Sequence, residues 1–311
     1  MRAAVVGTGM MGPGIAMTLT LGGLDAVILG RTPESAEEGL RAARRQLALL
    51  ADNGLVTAAQ REFSELHLQA STDFTDEVAS SDIVIESGPE NMEFKQDLFA
   101  RMDSLARPEC LLASNTSGLS ITSIAERCVH PERVMTTHFW NPPHLMPLVE
   151  IVLGKKTSPE AAEQMRVLLE KCGKMPVVVK KDTPGQLGNR LQMAMVREAA
   201  HIVSEGIADA EDVDMAIRMG FGLRLPMYGL LEHMDIVGLD MSMGILKYVS
   251  TDLYSNVEPP ARCRELLESG HLGAKTGKGF YDWSERSADA VRARRDGFVL
   301  QMLRWQQAAK E

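Results

Sequence analysis

The chain has 311 residues, enough for two domains with sizeable cores, and its 45 % hydrophobic and 24 % charged content is that of a globular protein. Its net charge of −9 is spread without basic blocks, which removes the electrostatic footprint of a nucleic-acid binder. No apolar run is long enough to span a bilayer and the chain opens on a strand rather than a signal peptide, so a cytoplasmic location is expected. Cys110, Cys128, Cys172 and Cys263 have neither metal-type nor paired spacing, so reduced thiols and no metal are expected.

The first element is the apolar run Ala3 to Val6, followed by Gly7-Thr8-Gly9-Met10-Met11-Gly12, a helical stretch and a second apolar run, Ala26 to Leu29. Strand, Gly-x-Gly-x-x-Gly turn, helix and strand make the opening of a dinucleotide-binding βαβ unit. Gly7 permits the tight turn, Gly9 lets the backbone approach a pyrophosphate, and Gly12 lets the helix pack close to the strand, with Met10 and Met11 beside the same turn. Pro13 fits the first helical turn, where its missing N–H costs no bond. At the end of the second run, where an acid usually holds the ribose 2′-hydroxyl of NAD, stand Gly30, Arg31 and Thr32. On charge this leans towards NADP, with Arg31 and Thr32 beside a 2′-phosphate; a solvated Arg31, or one stacked on the adenine, is the rival reading.

Glu34 to Asn53 then reads as a long helix stopped by Gly54. Short apolar runs follow at Asp82–Ile85, Cys110–Ala113, Val134–His138, Leu148–Leu153 and Met175–Val179, alternating with helical stretches such as Lys95–Leu105 and Pro159–Lys171. This alternation predicts an α/β fold, a Rossmann-type doubly wound parallel sheet, over residues 1–184. Past the Asp182-Thr183-Pro184-Gly185 junction the apolar spacing turns helical, in Leu187–Ile207, Glu211–Met219, Gly229–Met234 and Ala290–Ala309, which predicts a smaller all-helical domain over 185–311. Apolar faces including Leu187, Leu191 and Val196, and the charge-poor run 234–249, are expected to be covered by a partner copy or by the first domain.

Polar clusters sit at predicted strand ends or at the junction: Glu90-Asn91 with Lys95, Ser114 to Ser117, His138 to Asn141 with Glu150, and Asn189-Arg190. Oxidation of an alcohol by hydride transfer needs a group to take the hydroxyl proton, and the neutral imidazole of His138 suits that task. Glu150 on the next run could orient that ring and stabilise the imidazolium. Spacing leaves open the alternatives of a satisfied structural histidine and a solvated strand-end glutamate.

Taken in order, the glycine turn, Ser114-Asn115-Thr116-Ser117, His138-Phe139-Trp140-Asn141-Pro142, Leu148-Val149-Glu150, Asp182-Thr183-Pro184-Gly185 with Asn189-Arg190, and Lys275-Thr276-Gly277-Lys278-Gly279-Phe280-Tyr281 resemble the L-3-hydroxyacyl-CoA dehydrogenase family. The resemblance implies a Rossmann domain, a helical dimerisation domain, and reversible oxidation of a 3-hydroxyl to a ketone with NAD or NADP. By motif, His138 would be the general base and Glu150 its partner. Ser117 and Asn189 would bind the substrate oxygen, and Asn141, Glu90, Lys95 and Lys275 would lie on the nicotinamide side.

The stretch Asn141-Pro142-Pro143 to Glu150 looks more like the branch that oxidises free hydroxy acids, the L-gulonate 3-dehydrogenase (lambda-crystallin) and carnitine dehydrogenase relatives. Arg224 matches a basic position of that branch, where a guanidinium could clamp a free carboxylate; capping a helix end is the alternative. Two further readings stay open: a strict NAD-dependent L-3-hydroxyacyl-CoA dehydrogenase, and a nucleotide-binding, crystallin-like protein with little activity.

Overall fold

The computed structural model describes residues 1–309. Its sheet has eight strands: β1 (Arg2–Val6), β2 (Asp25–Leu29), β3 (Leu68–Ser71), β4 (Ile83–Glu86), β5 (Leu111–Ser114), β6 (Val134–Phe139), β7 (Leu148–Leu153) and β8 (Met175–Val179), in the order β3-β2-β1-β4-β5-β6-β7-β8. Strands β1 to β6 pair in parallel, as alternation with helices requires. The sheet departs from the expected all-parallel form at β7, which runs antiparallel to β6. The cause is the connection: only a turn, not a crossover helix, separates these strands, and a turn returns the chain alongside itself. The helix Pro159–Lys171 then carries the chain to β8, parallel to β7.

Alternate strand residues feed two cores, one on each face. Val5, Ile28 and Ile85 point to one, Ala4, Val27 and Val84 to the other. On the first face lie α1 (Gly12–Leu21) and α2 (Pro33–Asp52). Between β1 and β4 the order of strands reverses, and the carboxyl ends there open the crevice where α/β sheets bind ligands.

The chain divides into residues 1–188 with the segment from Arg294 onward, and residues 189–293. These compact units part at Gly188, four residues past the expected junction, and the last helix, Ala288–Ala308, ends with the sheet rather than with the helical unit. Val299, Leu300 and Leu303 pack on the first core and Arg304 donates to the Asn53 carbonyl at 2.9 Å. Helical spacing shows that a face is buried but not which layer it is buried on. Among the elements that the sequence reading did not name are β3 and the helices Ala58–His67 and Phe74–Ser80, which are short and carry few apolar residues to mark them.

The second unit is helical as expected, with Gly188–Ser204 leading into it, followed by Ala210–Met219, Leu230–Val237, Leu239–Val249 and Ala261–Glu268. Within it the Tyr281 hydroxyl donates to Asp214 at 2.7 Å, tying the Lys275 to Tyr281 segment to a helix. Leu191 and Val196 are 55 % and 48 % exposed, and Leu187, Met241, Ile245 and Tyr248 are exposed too. Among the described residues no helix is long and apolar enough to cross a membrane.

Candidate active site

Gly7, at the end of β1, has φ 124°, and a Cβ there would lie 2.4 Å from the Ser87 carbonyl oxygen; Gly12 is pressed on the Gly7 carbonyl in the same way. Any side chain at either position would push β1, β4 and α1 apart. A Cβ at Gly9 would meet nothing within 4 Å, so this glycine turns its face to open space. Over it lies a cleft of about 730 Å³ whose lining includes Gly7, Gly9, Met10, Met11, Arg31, Ser35, Glu90, Ser117, His138 and Asn141. The glycine turn, the start of α1 and this volume suit a dinucleotide.

Across the antiparallel β6–β7 pairing His138 stands directly opposite Glu150. Direct opposition brings cross-strand side chains on one face within reach. His138 Nδ1 donates to Glu150 Oε2 at 2.7 Å, and the Glu150 side chain has no exposed surface. Trp140 Nε1 donates to the same oxygen at 3.0 Å, while the Leu187 and Gly188 amides donate to Oε1 at 3.0 and 2.8 Å. Burial works against the charge, but the bonds from His138, Gly188, Trp140 and Leu187 outweigh it and hold the Glu150 carboxyl at about 2. Glu150 is therefore a carboxylate that only accepts, so Nδ1 of His138 carries the proton and Nε2 is left to receive one.

The turn between β6 and β7 is locked from behind. Lys174 Nζ, with the residue 8 % exposed, donates to the Pro143 and Met146 carbonyls at 2.6 and 3.0 Å. The neighbouring His144 imidazole is pushed down to about 4 by burial and the Lys174 charge, and so stays neutral at neutral pH. Asn115 Oδ1 accepts from the Phe139 amide at 2.8 Å, fixing the end of β6 from the neighbouring strand.

Several candidates stand differently from their expected places. Lys95 is 1 % exposed and does not line the cleft: its Nζ bonds both Glu86 oxygens at 2.6 and 2.8 Å, and Glu86 also accepts from Ser114 Oγ at 2.6 Å. A buried ammonium needs such a partner, and the carboxylate at the end of β4 supplies it. Lys95 reaches the site only indirectly, 3.8 Å from Glu90. Glu90 accepts from the Ser117 amide at 2.7 Å, from the Ser117 hydroxyl at 3.1 Å and from Thr116 Oγ1 at 2.8 Å. Thr32 also lies outside the lining: it is the N-cap of α2, accepting from the Ser35 amide at 3.2 Å in a capping box, and Ser35 lines the cleft instead. Gly30 has its own steric reason, since a Cβ there would lie 2.6 Å from the Ala36 nitrogen. Asn189, Arg224 and Lys275 belong to the second unit, with Arg224 and Lys275 exposed. Trp140 and the Leu187 and Gly188 amides were missed, for an indole beside an apolar run reads as core and backbone donors leave no mark in a sequence.

A glycine-lined cleft over the reversal of strand order, with a hydrogen-bonded His–Glu pair in its wall, defines a nicotinamide-dependent oxidoreductase acting on CH–OH groups. Residues 2–183 match the 3-hydroxyacyl-CoA dehydrogenase NAD binding domain and residues 185–283 the 3-hydroxyacyl-CoA dehydrogenase C-terminal domain. The chain belongs to the 3-hydroxyacyl-CoA dehydrogenase family.

Among its relatives is 5-formyl-3-hydroxy-2-methylpyridine 4-carboxylate 5-dehydrogenase of Mesorhizobium japonicum, 32 % identical over 94 % of both chains. The solved structure of a 5-dehydrogenase of that name, described as an NAD+-dependent dismutase, covers 98 % of both chains at 30 % identity with a TM-score of 0.89. The (S)-3-hydroxybutyryl-CoA dehydrogenase of Ralstonia eutropha gives a TM-score of 0.76 at 30 % identity, over 91 % of this chain and 99 % of that one. The L-carnitine dehydrogenase of Pseudomonas putida is 36 % identical over 77 % of this chain and 74 % of its own.

Proposed function

We propose that this chain is a cytoplasmic, homodimeric dehydrogenase of a small 3-hydroxy acid, with His138 as general base. The observation that carries the reading is the 2.7 Å bond from His138 to a buried, ionised Glu150 in the wall of the glycine-lined cleft. Nε2 of His138 takes the substrate hydroxyl proton, and Glu150 stabilises the imidazolium that forms. As that proton leaves, the C3–O bond becomes a carbonyl and the hydride departs from C3; the bound nicotinamide supplies the acceptor. Ser117 moves its hydroxyl from Glu90 to the substrate oxygen, a role shared by motif with Asn189, and Lys275 stays a motif-based candidate on the cofactor side. Arg224 is proposed to pair with a free carboxylate. The likeness to a dehydrogenase whose named substrate is a carboxylate supports the free acid, while the family's own description favours the CoA thioester as second reading. Reduced-nicotinamide absorbance with a panel of 3-hydroxy acids and their thioesters tests this: turnover of thioesters alone would remove Arg224 and the free acid.

The cofactor is proposed to be NAD, with NADP accepted through Arg31 and Ser35. Because Ala36 crowds position 30, the clean test is Arg31→Ala alone. It should weaken NADP about tenfold or more while sparing NAD, since a charge-assisted contact is worth roughly 1.5–3 kcal/mol. Equal weakening of both cofactors would place the guanidinium on the adenine instead. For the dimer, light scattering at micromolar concentration should give twice the chain mass, because apolar faces such as those of Leu191, Met241 and Ile245 are large for a free surface. A monomer mass would reject it.

A further inference from the structure

We infer that Trp140 is a positioning residue for the reaction: its indole N–H holds the Glu150 carboxylate in line with His138 and withdraws part of the negative charge that the imidazole faces. The inference rests on His138 acting as base. The indole and the imidazole donate to one and the same oxygen, Oε2, at 3.0 and 2.7 Å. Their ring centroids are 5.7 Å apart with planes 49° from each other, so the two rings converge on the carboxylate rather than stack. The other oxygen is held by the Leu187 and Gly188 amides. With both oxygens bonded and the side chain without exposed surface, the carboxylate cannot rotate without breaking a buried bond.

The place of the indole is itself built. A Cβ on Gly188 would lie 2.4 Å from Trp140 Cζ2, so the glycine that gives its amide to Glu150 also leaves the space that the indole fills. A ring needed only for packing would not require its N–H to end on the one carboxylate that the histidine uses. Across β8 the neighbour of Glu150 is Val177, which carries no charge. On the cleft side the charged groups that line the wall with His138 are Glu90, backed by Lys95, and Arg31. None of these bonds Oε2, and among the described residues the side chains that donate to that oxygen are the two rings.

A carboxylate oxygen shared between two donors stabilises an imidazolium less than one given wholly to the histidine. Removing the indole N–H should therefore make His138 easier to protonate, and the base should be lost at a higher pH. The test is Trp140→Phe in the full-length enzyme with cofactor and substrate. The acid limb of log kcat/KM against pH should move up by roughly half to one pH unit, with kcat at its optimum within about tenfold of wild type. A folded Trp140→Phe protein whose profile superimposes on that of wild type would overturn the inference.

A second measurement does not depend on turnover or on that variant folding. In the wild-type protein the Trp140 indole ¹H–¹⁵N signal should shift with the midpoint at which the His138 imidazole titrates, and this shift should vanish in His138→Gln. An indole signal indifferent to pH, or one that titrates alike in both proteins, would overturn the positioning role. Failure of the base reading is a different outcome: His138→Gln would then turn over like wild type whatever the indole signal does.

Discussion

Replacing His138 by Gln should lower kcat by about 10² to 10⁴ while leaving the fold and cofactor binding in place. Gln can keep a donor near Glu150 Oε2, so the carboxylate is not left without a partner on that side. What it cannot do is receive the hydroxyl proton, because an amide has no nitrogen basic enough for the task. The loss should therefore fall on kcat and kcat/KM together, with the Kd for NAD unchanged. Steady-state rates and a cofactor titration on one preparation check it. A variant within a few-fold of wild type would remove His138 from the chemistry.

The second large effect is expected at Glu150. In Glu150→Gln, one end of the side chain becomes a donor and faces the imidazole and indole N–H groups or the Leu187 and Gly188 amides, which are donors too. The imidazolium also loses its countercharge, so kcat should fall about 10²-fold and the acid limb of the pH profile should move to lower pH. Folding stability at pH 7 should fall by about 3 kcal/mol, the size expected when one partner leaves a buried charged network. The sign of the pH dependence follows from the lowered carboxyl. With the folded value at about 2 and the ordinary value at 4.5, its contribution is complete above 4.5 and is lost as pH falls towards 2. The stability gap between wild type and variant should therefore close between those pH values. His144, buried neutral at about 4 against an ordinary 6.5, destabilises both proteins alike as pH falls through that higher window, so it cancels from the difference. A gap that persisted unchanged at pH 2 would show that the Glu150 charge is not what the site stabilises.

Some of this was legible in the residues alone, and the reason differs from place to place. The glycine turn is readable because its geometry excludes side chains: Gly7 and Gly12 are pressed against backbone at 2.4 and 2.0 Å from a would-be Cβ. His138 and Glu150 were readable as types at strand ends, but their contact depends on β7 reversing against β6, which apolar runs do not reveal. Lys95 misled because lysines are ordinarily solvated, and only the fold shows Glu86 buried beside it. Thr32 was read as a phosphate contact, whereas the Thr-Pro-Glu-Ser order is a helix cap, a competing pattern written in the same residues. Trp140 stood in the His138 to Pro142 motif with no signal for a role of its own, since an indole among apolar neighbours is ordinarily core; its role rests on where one N–H ends. The last helix was read correctly as a helix and assigned to the wrong unit, because a periodic face does not name its partner.

The measurement closest to the central claim follows the hydrogen itself. C3-deuterated 3-hydroxy acids and their CoA thioesters, incubated with the wild-type protein and NAD, should deliver deuterium to the reduced nicotinamide detected by mass spectrometry, and His138→Gln should deliver about 10²-fold less or lower in the same time. Unlabelled cofactor across the whole panel, from a protein that binds NAD, would contradict the account and leave a nucleotide-binding protein with little activity.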